Sequence, residues 1–177
     1  MGLLAVFPET AAPTPVPLAL AALGELLVER TGTINIGLEG VIIAGAFGGM
    51  LGADAAGVGG GLAGSAAGGV IVPLVFAAFV IGLRTDQIIT GTAVTLLALG
   101  ATGVLHRELH DVAGATLGVP VMRPFPLPLL AELPLVGRAV FSQPVLVYPL
   151  YALVPLTCWA LRSTHPGLAL PALGQNA

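Results

Sequence analysis

The sequence predicts an all-α fold, a polytopic transmembrane helix bundle of about five spans, and three observations carry that expectation. Hydrophobic residues make up 56% of the chain and charged residues 8%, whereas an ordinary soluble domain is about a quarter charged. Uncharged apolar runs cover residues 55–83, 87–105 and 139–161, and a helix of about 20 residues crosses a bilayer core. Most of the charges lie between the apolar runs, in short links and in the stretch after His106, where ionised groups avoid the cost of about 2.5–3.5 kcal/mol each at the centre of a membrane helix.

Two further spans are interrupted. Residues 13–28 carry Pro13, Pro15 and Pro17, which delay the helix because proline is tolerated in a first turn and not within the hydrogen-bond ladder. Residues 34–52 contain Glu39. Glu29, Arg30, Thr31 and Gly32 form the link between these two segments, and Thr33 or Asn35 is placed to cap the second helix through a side-chain oxygen. Gly45 and Gly49, and then Gly60, Gly64 and Gly68, stand four apart. That spacing puts small residues on one helix face, where neighbouring backbones approach closely in lipid.

Arg84, Thr85 and Asp86 form a second short polar link before a fourth helix that carries Gln87, Thr90, Thr92, Thr95 and Thr102. From His106 to Gln143 charges return, and Pro120, Pro124, Pro126, Pro128 and Pro134 exclude one continuous helix. This stretch is expected to be an extramembrane loop with short interfacial pieces. The last span runs from about Val145 to Leu161, started or bent by Pro149 and Pro155.

The same composition excludes several functions. A net charge of −3 with no basic run or aromatic platform argues against nucleic acid. Ser65, Ser142 and Ser163 have no plausible acid or base close by in sequence, so no catalytic residue is assigned. His106 and His110 have a spacing that suits a metal, but they read better as a solvated helix end, and no metal site is assigned. Cys158 is single and lies in an apolar run. The N-terminus lacks the basic start of a signal peptide.

Glu25, Asn35, Glu39, Asp86, Gln87, Thr90, Thr92 and Thr95 are candidates for a pathway or helix junction. Asn35 and Glu39 are four apart, on one face of a helix if both are helical. They line a passage, or they sit near headgroups within reach of Arg30 or Arg84; both readings stay open. The threonine hydroxyls likewise either face a polar solute or bond to carbonyls of their own helix. The charged candidates all fall toward one membrane edge, away from the midplane where ion-coupled carriers usually bind the coupling ion. The passage is therefore expected to be driven from outside the chain.

The segment LGELLVERTGTINIGLEG, followed from Leu83 by LRTDQIITGTAVTLLALG, resembles the permease subunits of bacterial ABC importers for simple sugars and nucleosides, the branched-chain amino acid/ribose-type permease family. The tail HPGLALPALGQNA resembles that family's cytoplasmic coupling segment. The resemblance implies a multi-pass protein of the cytoplasmic (inner) membrane whose tail faces the cytoplasm and whose long loop lies outside. It implies coupling to the ATPase through His165, Pro166, Gly167, Leu168, Gly174 and Asn176. Its partners would be an ABC ATP-binding subunit, a second permease subunit, an extracytoplasmic solute-binding protein and membrane lipid. ATP and Mg would bind the partner, leaving no cofactor and no enzymatic activity on this chain.

Two departures from the family accompany the resemblance. Pro171 stands where a basic residue is usual, and it is expected to disturb a helix there. Family members continue for several more spans, so residues 1–177 are expected to be the N-terminal part of a single membrane permease domain. The competing expectations are an ion-coupled carrier or channel and a nonfunctional truncated permease remnant.

Overall fold

The computed structural model describes residues 16–110, 120, 122–127 and 140–174. The elements in order are α1 (Val16–Glu29), α2 (Leu38–Ala77), a π-helical turn (Ala78–Gly82), α3 (Gln87–His110), β1 (Pro124–Pro126), β2 (Ser142–Pro144), α4 (Val147–Ser163) and α5 (His165–Gly174). The chain divides into two compact units, Thr33–Val121 in one, Met1–Gly32 with Met122–Ala177 in the other. Asn176 and the part of the long loop holding Pro128 and Pro134 lie outside the described residues.

In the first unit α2 is not one straight rod. Ala56 (φ −143°, ψ 25°) and Gly57 (φ +66°, ψ −156°) leave helical geometry, and Gly57 takes a conformation essentially confined to glycine. On either side, two arms of residues 38–55 and 58–77 fold back on one another. A methyl group at Gly48 would meet the carbonyl oxygen of Gly64, and one at Gly64 would meet that of Gly48. Gly52 and Gly60 are related in the same reciprocal way, and Gly68 meets the carbonyl of Ala44. As one partner number rises the other falls, so the arms are antiparallel. Their backbones touch where side chains would otherwise separate them, a geometry that permits weak C–H···O hydrogen bonds of about 0.5–1 kcal/mol each.

The helical run Leu38–Gly82 and the run Gln87–Leu109 are each long and apolar enough to cross a membrane by length and composition. Folded at Gly57, the first is two apolar arms rather than one rod. Residues 38–55 span about 27 Å and 58–82 about 37 Å at about 1.5 Å per residue. The core of this unit is Val72, Val94 and Ala98, with Val41, Ala44 and Val75 packed against it. Both arms of α2 thus pack on α3.

The sequence expectation places Asn35 or Thr33 as the cap of the second helix; the structure corrects it. The N-cap is Gly37, without a side-chain cap. Asn35 instead accepts the Gly37 N–H on its Oδ1 at 3.0 Å, a local turn that keeps the chain out of the helix until Leu38. Asn35 is therefore non-helical, and it does not share a helical face with Glu39. Asp86, by contrast, is a full cap: its Oδ1 accepts the N–H groups of Ile88 (2.9 Å) and Ile89 (3.0 Å), which fixes the start of α3.

In the second unit the apolar run 139–161 is not a single helix, contrary to its composition. Ser142–Pro144 pairs antiparallel with Pro124–Pro126, Phe125 facing Gln143, and α4 begins only at Val147. Pro144 has no N–H to offer a helix, and Pro149 fits only because it falls in the first turn. At 17 residues, α4 spans about 25 Å. Val147 and Leu150 pack with Val16 of α1, flanked by Ala19 and Leu23. The expected break at Pro171 does not occur either: α5 runs through it to Gly174. The missing Pro171 N–H leaves the Gly167 carbonyl without its helical donor, and the helix continues past it.

Candidate transport pathway and coupling segment

The polar candidates of the first unit meet where the chain enters α2 and α3. Gln87 accepts the Ile34 N–H on its Oε1 at 2.9 Å, tying the segment before α2 to the first turn of α3. The tie is possible because the helices nearly touch: a methyl group at Gly91 would lie 3.1 Å from the Gly37 nitrogen, and one at Gly40 would lie 3.0 Å from the Thr95 Cα. Thr95 reaches across to the Ile36 carbonyl at 3.5 Å. Thr85 and Thr90 share a hydroxyl–hydroxyl hydrogen bond of 2.8 Å, and Thr90 is buried.

The other threonines turn inward on their own helix. Thr92 donates to the Ile88 carbonyl (2.9 Å) and Thr102 to that of Ala98 (2.7 Å), the back-bonding that removes a hydroxyl from solute contact. Glu39 is exposed, on the first turn of α2. Glu25 is half-buried on α1, and Glu29 ends that helix in the open. The structure therefore ties Gln87 and Thr95 to the backbone of residues 34–36, sets Thr90 on the same helix against Thr85, and leaves Glu39 outside these hydrogen bonds.

Two hollows adjoin these helices. One, of about 420 Å³, lies between the second arm of α2, the π-helical turn and α3; its polar end is Thr85, Asp86 and Thr90, and Val75, Phe79 and Leu97 line the rest. The other, about 510 Å³, follows the glycine contact past Gly48, Gly52, Gly64 and Gly68 to Thr102. Gly45 and Gly49 lie along the same contact, Gly45 facing the Ser65 carbonyl at 3.5 Å and Gly49 the Ser65 hydroxyl. Among the described residues, His, Cys, Asp and Glu form no group of three able to hold a metal ion.

The coupling candidates of the second unit form a sharp joint. Only Thr164 separates α4 from α5, in extended geometry (φ −112°, ψ 149°). Its hydroxyl donates to the Ala160 carbonyl at 2.6 Å and accepts the Gly167 N–H at 3.2 Å. Pro166 sits in the first turn of α5, where its missing N–H has no intrahelical partner to lose. Gly167 is buried against the Ala160 carbonyl and the Leu161 Cα, with no room for a side chain. His165 and Leu168 point outward, exposed.

Sequence reasoning named Asp86 as a junction candidate without its capping role, and passed over Thr164 and Tyr148. Asp86 was readable as a cap, because an acid immediately before an apolar run is an N-terminal signal. Thr164 before a proline gave a similar signal. Tyr148 gave none: its hydroxyl bonds the carbonyls of Phe125 (2.7 Å) and Phe141 (2.9 Å) and the N–H of Gln143 (3.2 Å), partners that no helical or strand periodicity links to it.

The chain is 32% identical over 173 residues to a guanosine ABC transporter permease protein of Bacillus subtilis, covering 90% of this chain and 53% of that one. It is 35% identical over 162 residues to a putative glucose ABC transporter permease protein of Haloferax volcanii, covering 90% and 48%. A nucleoside ABC transporter permease protein of Lactococcus lactis is 30% identical over 168 residues, covering 90% and 53%. The chain thus spans about half the length of the curated relatives it matches. No solved structure matches. The family model for the permease component of branched-chain amino acid transport systems matches residues 10–177, nearly all of the chain, and the protein belongs to that family.

Proposed function

We propose that this chain is part of the membrane-spanning permease of an ATP-driven ABC importer, forming the passage for nucleosides or simple sugars across the cytoplasmic membrane. The observation that carries the reading is the match along residues 10–177 together with relatives whose names specify guanosine, nucleoside and glucose transport. The apolar helices support the reading, and the short α5 joined to α4 offers a surface for a partner. Five passes follow if α1, each arm of α2, α3 and α4 cross in turn. The links at residues 30–36 and 83–86 and the helix α5 then share the cytoplasmic side, and the β1–β2 ribbon lies outside.

On this reading the chain performs no chemistry. ATP and Mg bind an ATPase subunit that docks on α5, a second permease subunit completes the passage, and an extracytoplasmic solute-binding protein delivers the solute. The junction of Gln87, Thr90 and Thr95, beside the hollow at Thr85 and Asp86, supplies polar groups at the inner end of the passage. His165, Pro166, Gly167 and Leu168 present the coupling surface.

The test is copurification with an ATPase subunit and ATP-dependent uptake of labelled guanosine or glucose in membrane vesicles. Uptake that follows a proton or sodium gradient without ATP would defeat the reading. Orientation is checked by impermeant thiol labelling in a Cys158→Ser background. Arg84→Cys and Arg162→Cys should be reached from the cytoplasmic side and Asp54→Cys from the other; labelling of the two arginine positions from opposite sides would break the five-pass arrangement.

A further inference from the structure

We infer that α4 is a connecting rod locked at both ends by hydroxyl groups, and that Tyr148 and Thr164 are the positioning residues through which solute delivery outside is linked to the ATPase inside. The inference rests on the importer reading, which places the β1–β2 ribbon outside and α5 against the ATPase.

At the inner end residue 164 has no freedom to swivel. Its N–H donates to the Ala160 carbonyl at 3.1 Å and its own carbonyl accepts the Leu168 N–H at 3.0 Å. Its hydroxyl repeats both links, to Ala160 at 2.6 Å and from Gly167 at 3.2 Å. Four hydrogen bonds thus join one residue to two helices. Gly167 allows the close approach, since a Cβ there would lie 2.7 Å from the Leu161 Cα. Any displacement of α5 must carry the last turn of α4 with it.

At the outer end the Tyr148 hydroxyl reaches the ribbon, bonding the Phe125 carbonyl of β1 at 2.7 Å. It bonds the Phe141 carbonyl beside β2 at 2.9 Å and accepts the Gln143 N–H at 3.2 Å. Gln143 is 1% exposed, so its side of the contact is shielded, while the bond to Phe125 lies at the surface. The first turn of α4 and both strands therefore move together. Between the two locks the weakest point of the rod is Pro155, which leaves the Tyr151 carbonyl without its helical donor.

The experiment uses the permease assembled with its ATPase and solute-binding protein in proteoliposomes. Tyr148→Phe and Thr164→Val each remove one hydroxyl and little else. Each should lower maximal uptake about five-fold, the size of one lost hydrogen bond, with half-saturating solute concentration and copurification with the ATPase unchanged. Thr164→Ser should restore uptake. The double variant should be no worse than the poorer single one, because two locks on one rod fail together. Wild-type uptake in either single variant, or losses that multiply in the double, would overturn the inference.

A second measurement holds even if a variant assembles poorly. Nitroxide labels at Val154→Cys and Ala169→Cys, in a Cys158→Ser background, report the angle between α4 and α5. The distance distribution should be narrow in the parent and with Thr164→Ser, and broad with Thr164→Val. An equally narrow distribution in the valine variant sinks the lock. A parent assembly with no ATP-dependent uptake would instead overturn the importer reading.

Discussion

The chain reverses direction at Gly57 and turns at Thr164, and the two turns use opposite chemistry. At Gly57 the arms are held by what is missing: glycines at 48, 52, 60, 64 and 68 let one backbone lie on another. At Thr164 the helices are held by what is present, a hydroxyl bonded to both. The first contact depends on size and shape alone, the form of association that lipid leaves open, since hydrocarbon tails remove the hydrophobic reason for helices to meet. The second depends on a directed polar group and tolerates change in size poorly only at Gly167. A turn held by shape should fail by overpacking, and one held by a hydroxyl by the loss of a single atom.

The comparison breaks most sharply at Gly64→Val. The added side chain falls on the Gly48 carbonyl, and the hairpin should lose about 3 kcal/mol, the upper range for overpacking, read as a lower midpoint in a detergent unfolding titration. Unchanged stability would mean that the arms do not rely on contact. Gly57→Ala acts on the turn itself, where φ is +66°, and should cost about 1–3 kcal/mol by backbone strain without touching any neighbour. Asp86→Ala leaves two N–H groups at the start of α3 without their acceptor and should cost about 1 kcal/mol, with Asp86→Asn recovering most of it. Gly69→Ala sharpens the contrast from the other side: nothing lies within 4 Å of a methyl group there, so the change should be neutral or stabilising by about 0.5 kcal/mol through better helix propensity. A loss at Gly69 as large as that at Gly64 would remove the distinction between facing and open glycines.

The helical class was legible because composition and run length have no other solution in lipid, where each backbone group must find its partner within a helix or closed barrel. Short links were legible too, since Arg30 and Arg84 punctuate apolar runs. Four-residue glycine spacing was visible, but not which glycines meet: the register follows from the turn at Gly57, and nothing local marks that glycine among so many. The division of residues 139–161 into strand and helix was hidden because the run is apolar throughout, and only pairing with residues 124–126 separates them. Pro171 misled in the opposite direction, because α5 gives up one hydrogen bond there and continues to Gly174. At the candidate junction, Asn35 looked helical by spacing, while its own amide oxygen ends that possibility by bonding Gly37. Tyr148 remained invisible because its partners are 7 and 23 residues away.

Asp54 sits exposed beside the bend of the hairpin, the one acidic side chain within the run from Leu38 to Gly82 after the first turn. On the proposed topology, with both ends of the hairpin facing the cytoplasm, this carboxylate has to be translocated when the protein is first threaded into the membrane. An inside-negative potential favours that crossing by about 2.3 kcal/mol per charge per 100 mV. The same voltage would oppose its return, and on that topology the bend would act as a barb that keeps the newly inserted pair of arms from slipping back.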